Sequence, residues 1–141
     1  MKRCLYGFAV CCFLLSGALH CLADPVGEIT REDAMSLVRA WLTSEGYPTR
    51  SQHFILEADP DRADFPAFYF FTASFEQEQS VPTIGHFAVN RRTANLWDWE
   101  LCKKLSKSSL RAKQAVLRKK ARVSERDYQK SSQAAPCSEP T

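Results

Sequence analysis

The sequence of 141 residues predicts an α+β fold: an N-terminal helix packed on a four-stranded antiparallel meander, followed by a basic C-terminal helix and a flexible end. Three observations predict it. One segment near residue 31 is strongly amphipathic, with stop signals at both ends. Four short β-rich runs follow, separated by polar joints. After Cys102 the texture changes to a Lys/Arg-rich helical pattern.

Ahead of these elements lies an export signal. Met1-Lys2-Arg3 is a short positive region, and no residue from Cys4 to Leu19 is charged. The apolar stretch falls short of the roughly 20 residues a membrane span needs, and a small-residue exit follows it, as in secretory signals. Cleavage is expected after Ala23, with Ala18 the second choice. Lipidation at Cys21 is disfavoured by the bulky His20 before it. The expected organisation is residues 1–23 as signal peptide, 24–102 as α+β core, 103–130 as basic helix and 131–141 as flexible tail. The expected location is therefore periplasmic or secreted.

The first helix is predicted over Arg31 to Glu45. Thr30 is a good N-cap and Asp33 stands three residues on, in a capping-box-like arrangement. Ala34, Leu37, Val38, Trp41 and Leu42 recur at i, i+3, i+4, i+7 and i+8, which is one face. Gly46 is placed to end the helix and Pro48 to prevent its continuation. Trp41 reads as a core anchor.

Gln52 to Glu57 reads as the first strand and Ala67 to Phe75 as the second. Between them lies a turn-rich loop containing Asp59, Pro60, Asp61 and Asp64. Thr83 to Asn90 and Asn95 to Leu101 read as the third and fourth strands, joined by a turn at Arg91 to Ala94. In the second strand Tyr69, Phe71, Ala73 and Phe75 share one face, and Phe68 and Phe70 the other, so both faces are expected to be covered. In the fourth, Trp97, Trp99 and Leu101 are expected on a buried face, with Leu96, Asp98 and Glu100 on a wet one.

The basic helix is predicted from about Leu110 to Tyr128, with Leu110, Leu117 and Ala121 as a thin apolar stripe. Residues 24–100 hold six Lys/Arg against thirteen Asp/Glu, whereas residues 101–141 hold eleven against three. Such asymmetry points to a tail that meets an anionic surface or the acidic body itself. Lys113, Arg118, Lys119, Lys120 and Arg122 are the candidate polyanion contacts. The absence of interleaved aromatics and the export signal argue against nucleic acid. The expected geometry is a loosely docked helix with its cations outward.

Candidate chemistry is sparse. Past the signal only Cys102 and Cys137 remain, and an even pair in an exported chain is expected to form a disulfide. Two thiols and the unpaired His53 and His86 have no zinc spacing. Asp59, Asp61 and Asp64 invite a calcium reading, but Pro60 interrupts the run and Phe70 stands where a closing Glu is needed. A turn exposed to solvent is expected instead. His86, between Gly85 and Phe87, has no nucleophile or carboxylate that can be paired with it from sequence. No metal, cofactor or catalytic constellation is therefore expected. Phe68, Phe70, His86, Arg91 and Arg92 form the candidate binding surface.

The segment Ile29-Thr30-Arg31-Glu32-Asp33-Ala34, with the closing hairpin Gly85-His86-Phe87-Ala88-Val89-Asn90-Arg91-Arg92-Thr93-Ala94-Asn95-Leu96-Trp97, resembles the PepSY-type module. Here Asn90 replaces that family's Asp and Ala94 its Gly. The resemblance implies a cystatin-like wrap of sheet around helix and a binding or inhibitory role without catalysis. Gln79-Ser80-Val81-Pro82-Thr83 departs from the cystatin loop, because Thr83 stands where that loop has Gly. The expected function is an exported, non-catalytic binding or inhibitory module acting on a protein partner in the envelope or outside the cell. The alternatives are surface association through the basic segment and a small hydrolase using His86.

Overall fold

The computed structural model describes residues 27–137. The expected signal peptide, its expected cleavage point and Cys21 lie outside these residues. The fold is α+β, in the order α1 (Arg31–Ser44), β1 (Phe54–Ala58), β2 (Phe68–Phe75), β3 (Thr83–Asn90), β4 (Leu96–Asp98), β5 (Lys103–Leu105), α2 (Ser108–Lys120) and α3 (Glu125–Ser131). The strands form one antiparallel sheet in chain order, β1-β2-β3-β4-β5.

Helix α1 starts and stops where its end signals require. The Thr30 hydroxyl accepts from the Asp33 N–H at 3.1 Å, which satisfies one of the unpaired first-turn donors. Gly46 takes φ 91°. The Gly46 N–H then reaches the Thr43 carbonyl, and the Tyr47 N–H reaches Leu42, closing the end in the double-bonded C-terminal arrangement that left-handed glycine permits. The face formed by Ala34, Leu37, Val38 and Leu42 is buried. It packs with Tyr69, Phe71, Phe87, Val89 and Leu96 of the sheet. Trp41 is only partly buried at the margin of this core. Lys107 Nζ stands 5.0 Å from its ring centroid.

Four features differ from the expected architecture. A fifth strand, Lys103–Leu105, pairs with β4 and buries Leu105. Three residues, two of them lysines, carry too little periodicity to announce a strand. The expected C-terminal helix is two helices, because Arg122 adopts φ 55° and Ser124 caps α3 by accepting from the Asp127 N–H. Residues 131–137, expected as a flexible end, are packed: Pro136 is fully buried and Ala134 lies on the sheet. Finally, β4 stops at Asp98, Leu96 is the residue buried beneath the helices, and Leu101 is exposed. Trp97 and Trp99 lie on the opposite face with Phe68, Phe70 and Ala88.

Helix α2 is a second cover of the helical face, not a loose appendage. Leu110, Gln114 and Leu117 are buried at i, i+4 and i+7, and α2 lies alongside α1 in the same core.

Candidate functional site

The sheet face opposite α1 and α2 is divided into an apolar half and a polar half. In the apolar half, Phe68 and Phe70 are 2% and 1% exposed. They are core residues, so their expected place on a binding surface is corrected. Phe65, Trp97, Trp99 and Ala134 cover them. The Cys102–Cys137 disulfide, with Cα atoms 5.8 Å apart, ties the end of the chain over this half. Arg62 lies against the aromatic group, its guanidinium 4.9 Å from the Trp99 ring centroid and 5.3 Å from that of Phe70.

In the polar half, cross-strand register brings together residues that sequence reading could not pair. Thr72 stands opposite both Glu57 and His86. Thr72 Oγ1 lies 3.0 and 3.1 Å from the two Asp59 carboxylate oxygens, and 3.0 Å from His86 Nδ1. His86 Nε2 is 3.6 Å from Glu100 Oε1, and the Trp99 ring meets the imidazole edge to face at 6.1 Å.

The proton count gives this chain a direction. A hydroxyl has one proton, and an ionised carboxylate can only accept. Thr72 therefore donates to Asp59, and His86 Nδ1 donates to Thr72. A nucleophile with its base needs the reverse, a hydroxyl that gives its proton to an imidazole nitrogen. His86 Nδ1 is thus held as a donor to Thr72.

The remaining candidate residues fix the loops. Asp61 Oδ1 accepts from Arg31 Nη2 at 2.6 Å and from Arg91 Nη2 at 2.7 Å. Both guanidinium groups also lie on the Tyr69 ring, at 5.0 and 4.3 Å from its centroid. Asp59 takes Thr72, its carbonyl takes Arg31, and Asp64 pairs with Arg62 at 3.5 Å. The acidic loop is largely exposed, as expected of a solvated turn, and arginines also tie it to its surroundings. Among the described residues no group of three or more His, Cys, Asp or Glu could hold a metal ion. Arg92 faces Glu28 at 3.5 Å and Asp127 at 3.8 Å. Burial raises the Tyr69 phenol above its ordinary value of 10.0, partly opposed by the Arg91 charge.

The turn from Asn90 to Asn95 rests on side-chain caps. Asn90 Oδ1 accepts the N–H groups of Arg92 and Thr93, and Thr93 Oγ1 accepts that of Asn95. Asn90 keeps the capping oxygen that an Asp would supply. Ala94 takes φ 57°, the left-handed position that glycine fills most readily.

The five basic residues of the expected polyanion site divide by direction. Lys113 Nζ donates to the Ser36 carbonyl at 3.2 Å, Arg118 Nη1 to Thr93 at 2.9 Å, and Lys120 Nζ to Asp33 at 2.7 Å. Lys107 likewise pairs with Glu45. Lys119 and Arg122 are exposed. A single outward cationic face is therefore corrected: three of the five are directed toward the body, where the Asp33 carboxylate and the carbonyls of Ser36 and Thr93 accept them.

No helix among the described residues is long and apolar enough to cross a membrane. No family model matches the sequence, and no curated protein matches it. The fold is similar to that of a chain in the solved structure of a type VI secretion system effector–immunity complex from Pseudomonas protegens, with a TM-score of 0.63 and 22% identity over 77% of this chain and 89% of that one.

Proposed function

We propose that this protein is a non-catalytic module that binds and blocks a partner protein, in the manner of an immunity protein that neutralises an effector. The observation that carries the reading is the shared fold with a chain of an effector–immunity complex, spanning most of both chains. The direction of the Asp59–Thr72–His86 hydrogen bonds supports it, since the best-placed histidine faces a hydroxyl already committed to a carboxylate. The covering of the helical face and of the aromatic half of the opposite face supports it too, because interaction is left to the polar half, the loops, the ends and the edges.

The site of action we propose is the envelope or the extracellular space, on the strength of the N-terminal sequence and the cysteine pair. The helix-and-meander arrangement and the capped hairpin at Asn90 support a relationship to PepSY-type or cystatin-like modules, which we keep as a proposal.

The test is affinity capture of the full chain from its native cells, followed by assay of the captured protein with and without a stoichiometric amount of this one. A single protein partner whose activity or toxicity is suppressed is the expected result. Recovery of no stoichiometric partner, or a hydrolase activity of the purified chain abolished by His86→Ala, would overturn the reading.

A further inference from the structure

One end of the molecule combines an apolar cleft with an acidic shelf. The cleft, of about 440 Å³, is lined by Tyr47 and Pro48 before β1, Phe75 at the end of β2, Gln77 and Pro82 of the β2–β3 hairpin, and Ile84 of β3. Tyr47 is 41% exposed, and Val81 in the same hairpin is 55% exposed. Among the described residues the other exposed large apolar side chains, Leu101 and Val116, lie elsewhere in the chain. A hydrophobic surface of this kind, held open in the free molecule, is a feature of interaction sites.

The cleft is held by backbone hydrogen bonds. The Phe75 N–H donates to the Pro82 carbonyl at 3.1 Å, closing the base of the hairpin. Gln77 and Ser80 bridge its tip. On the other wall, the Tyr47 N–H is tied to Leu42 at the end of α1. Ordering the cleft therefore costs little on binding.

The shelf adjoins it, because Gln77 lines both. His53, Glu76 and Glu78 complete a second depression of about 560 Å³. His53 Nδ1 stands 3.9 Å from Glu76 Oε2. Glu78 is exposed and has no ion-pair partner among the described residues. An acidic rim beside an apolar slot repels anionic polymers and acidic proteins and steers cationic surfaces toward it.

We infer that this end is a docking surface for a basic segment of a protein partner. One apolar side chain of the partner enters the cleft between Tyr47, Phe75 and Pro82, and an adjacent Lys or Arg meets Glu76 and Glu78. The inference rests on the reading of the protein as a binding module and deepens it by naming the surface and the chemistry of its occupant.

The test is selection of phage-displayed random peptides on the immobilised full chain, with Tyr47→Ala and the pair Glu76→Lys, Glu78→Lys as comparison targets. These side chains are exposed or peripheral, and thermal melts of the variants check that they fold. The expected result is enrichment of peptides in which an aliphatic or aromatic residue stands next to Lys or Arg. Their affinity should fall about tenfold or more on either variant, and should weaken with salt. Selection of acidic peptides, equal binding to all three proteins, or failure to enrich any peptide would overturn the inference. So would dimerisation of the chain that is lost in Tyr47→Ala, which would make the occupant a second copy. The two readings fail separately. A captured and inhibited partner that binds both variants as well as the parent removes this surface and leaves the binding function standing. Peptides of the expected chemistry without any inhibited partner do the reverse.

Discussion

Arg91 Nη2 donates to Asp61 Oδ1 at 2.7 Å, joining the turn between β3 and β4 to the loop between β1 and β2. The same carboxylate oxygen accepts from Arg31 at the start of α1. One acidic residue thus holds together two guanidinium groups that otherwise repel across the Tyr69 ring. Asp61 is more than half exposed, so solvent screens the pair. Asp61→Ala should therefore cost only about 1 kcal/mol, measured by urea titration. The double variant Arg31→Ala, Asp61→Ala should show positive coupling between the two sites in a double-mutant cycle, and strict additivity would contradict this arrangement.

Tyr69 gives the protein a sensitivity to alkali. Its phenol is raised above 10.0, chiefly by burial, so the folded state keeps the proton more tightly than the unfolded chain. The contribution is fully present below pH 10.0 and is lost as pH rises through the higher folded value. As pH rises above 10.0 the parent should lose more stability than Tyr69→Phe. Parallel stability–pH curves for the two proteins would show that the phenol is not desolvated.

The disulfide should hold the tail over the aromatic half of the sheet. Cys102 and Cys137 are 35 residues apart, a loop for which chain entropy gives about 4 kcal/mol. Cys102→Ser with Cys137→Ser should lower stability by an amount of that order and loosen the cover over Phe68, Trp97 and Trp99. Red-shifted tryptophan emission and binding of a hydrophobic dye in native buffer are the expected signs. Unchanged emission would mean that Ala134 and Pro136 stay in place without the bond.

Ending the chain at Lys107 should unfold the domain. The truncation removes Leu110, Gln114 and Leu117 from the core between α1 and the sheet, and the disulfide with them. The combined loss is roughly 5 kcal/mol or more, comparable with the whole stability of a domain of this size. Circular dichroism showing a folded, cooperative truncated protein would contradict the place of α2 in the core.

Trp41→Ala should cost about 2 kcal/mol, less than the 3–5 typical of a fully buried aromatic. The ring is only partly buried, and one side of it faces the Lys107 ammonium. A denaturant titration measures the loss, and a value near 5 would place the ring deeper than it lies here.

The sequence by itself determined the elements whose signals are local. Helix α1 was legible to within a residue because Thr30, Gly46 and the Leu37–Val38–Trp41–Leu42 spacing act within one or two turns of chain. The central strands were legible from β-rich runs between polar joints, and the two apolar faces of β2 from simple alternation. Tertiary structure decided what depends on partners distant in sequence. Strand β5 exists because β4 offers an open ladder beside it, not because Lys103–Leu105 has any strand pattern. Trp97 and Trp99 lie opposite Leu96 because the helices claim only one face of β4. The direction of Lys113, Arg118 and Lys120 follows from the carbonyls and the carboxylate that α1 and the Thr93 turn present to them. His86 met Thr72 and Glu100 only through strand register and the turn after β4. Propensity and periodicity act over a few residues, whereas charge pairing and strand register act through space. A single sequence records the first directly and the second only after the chain has folded.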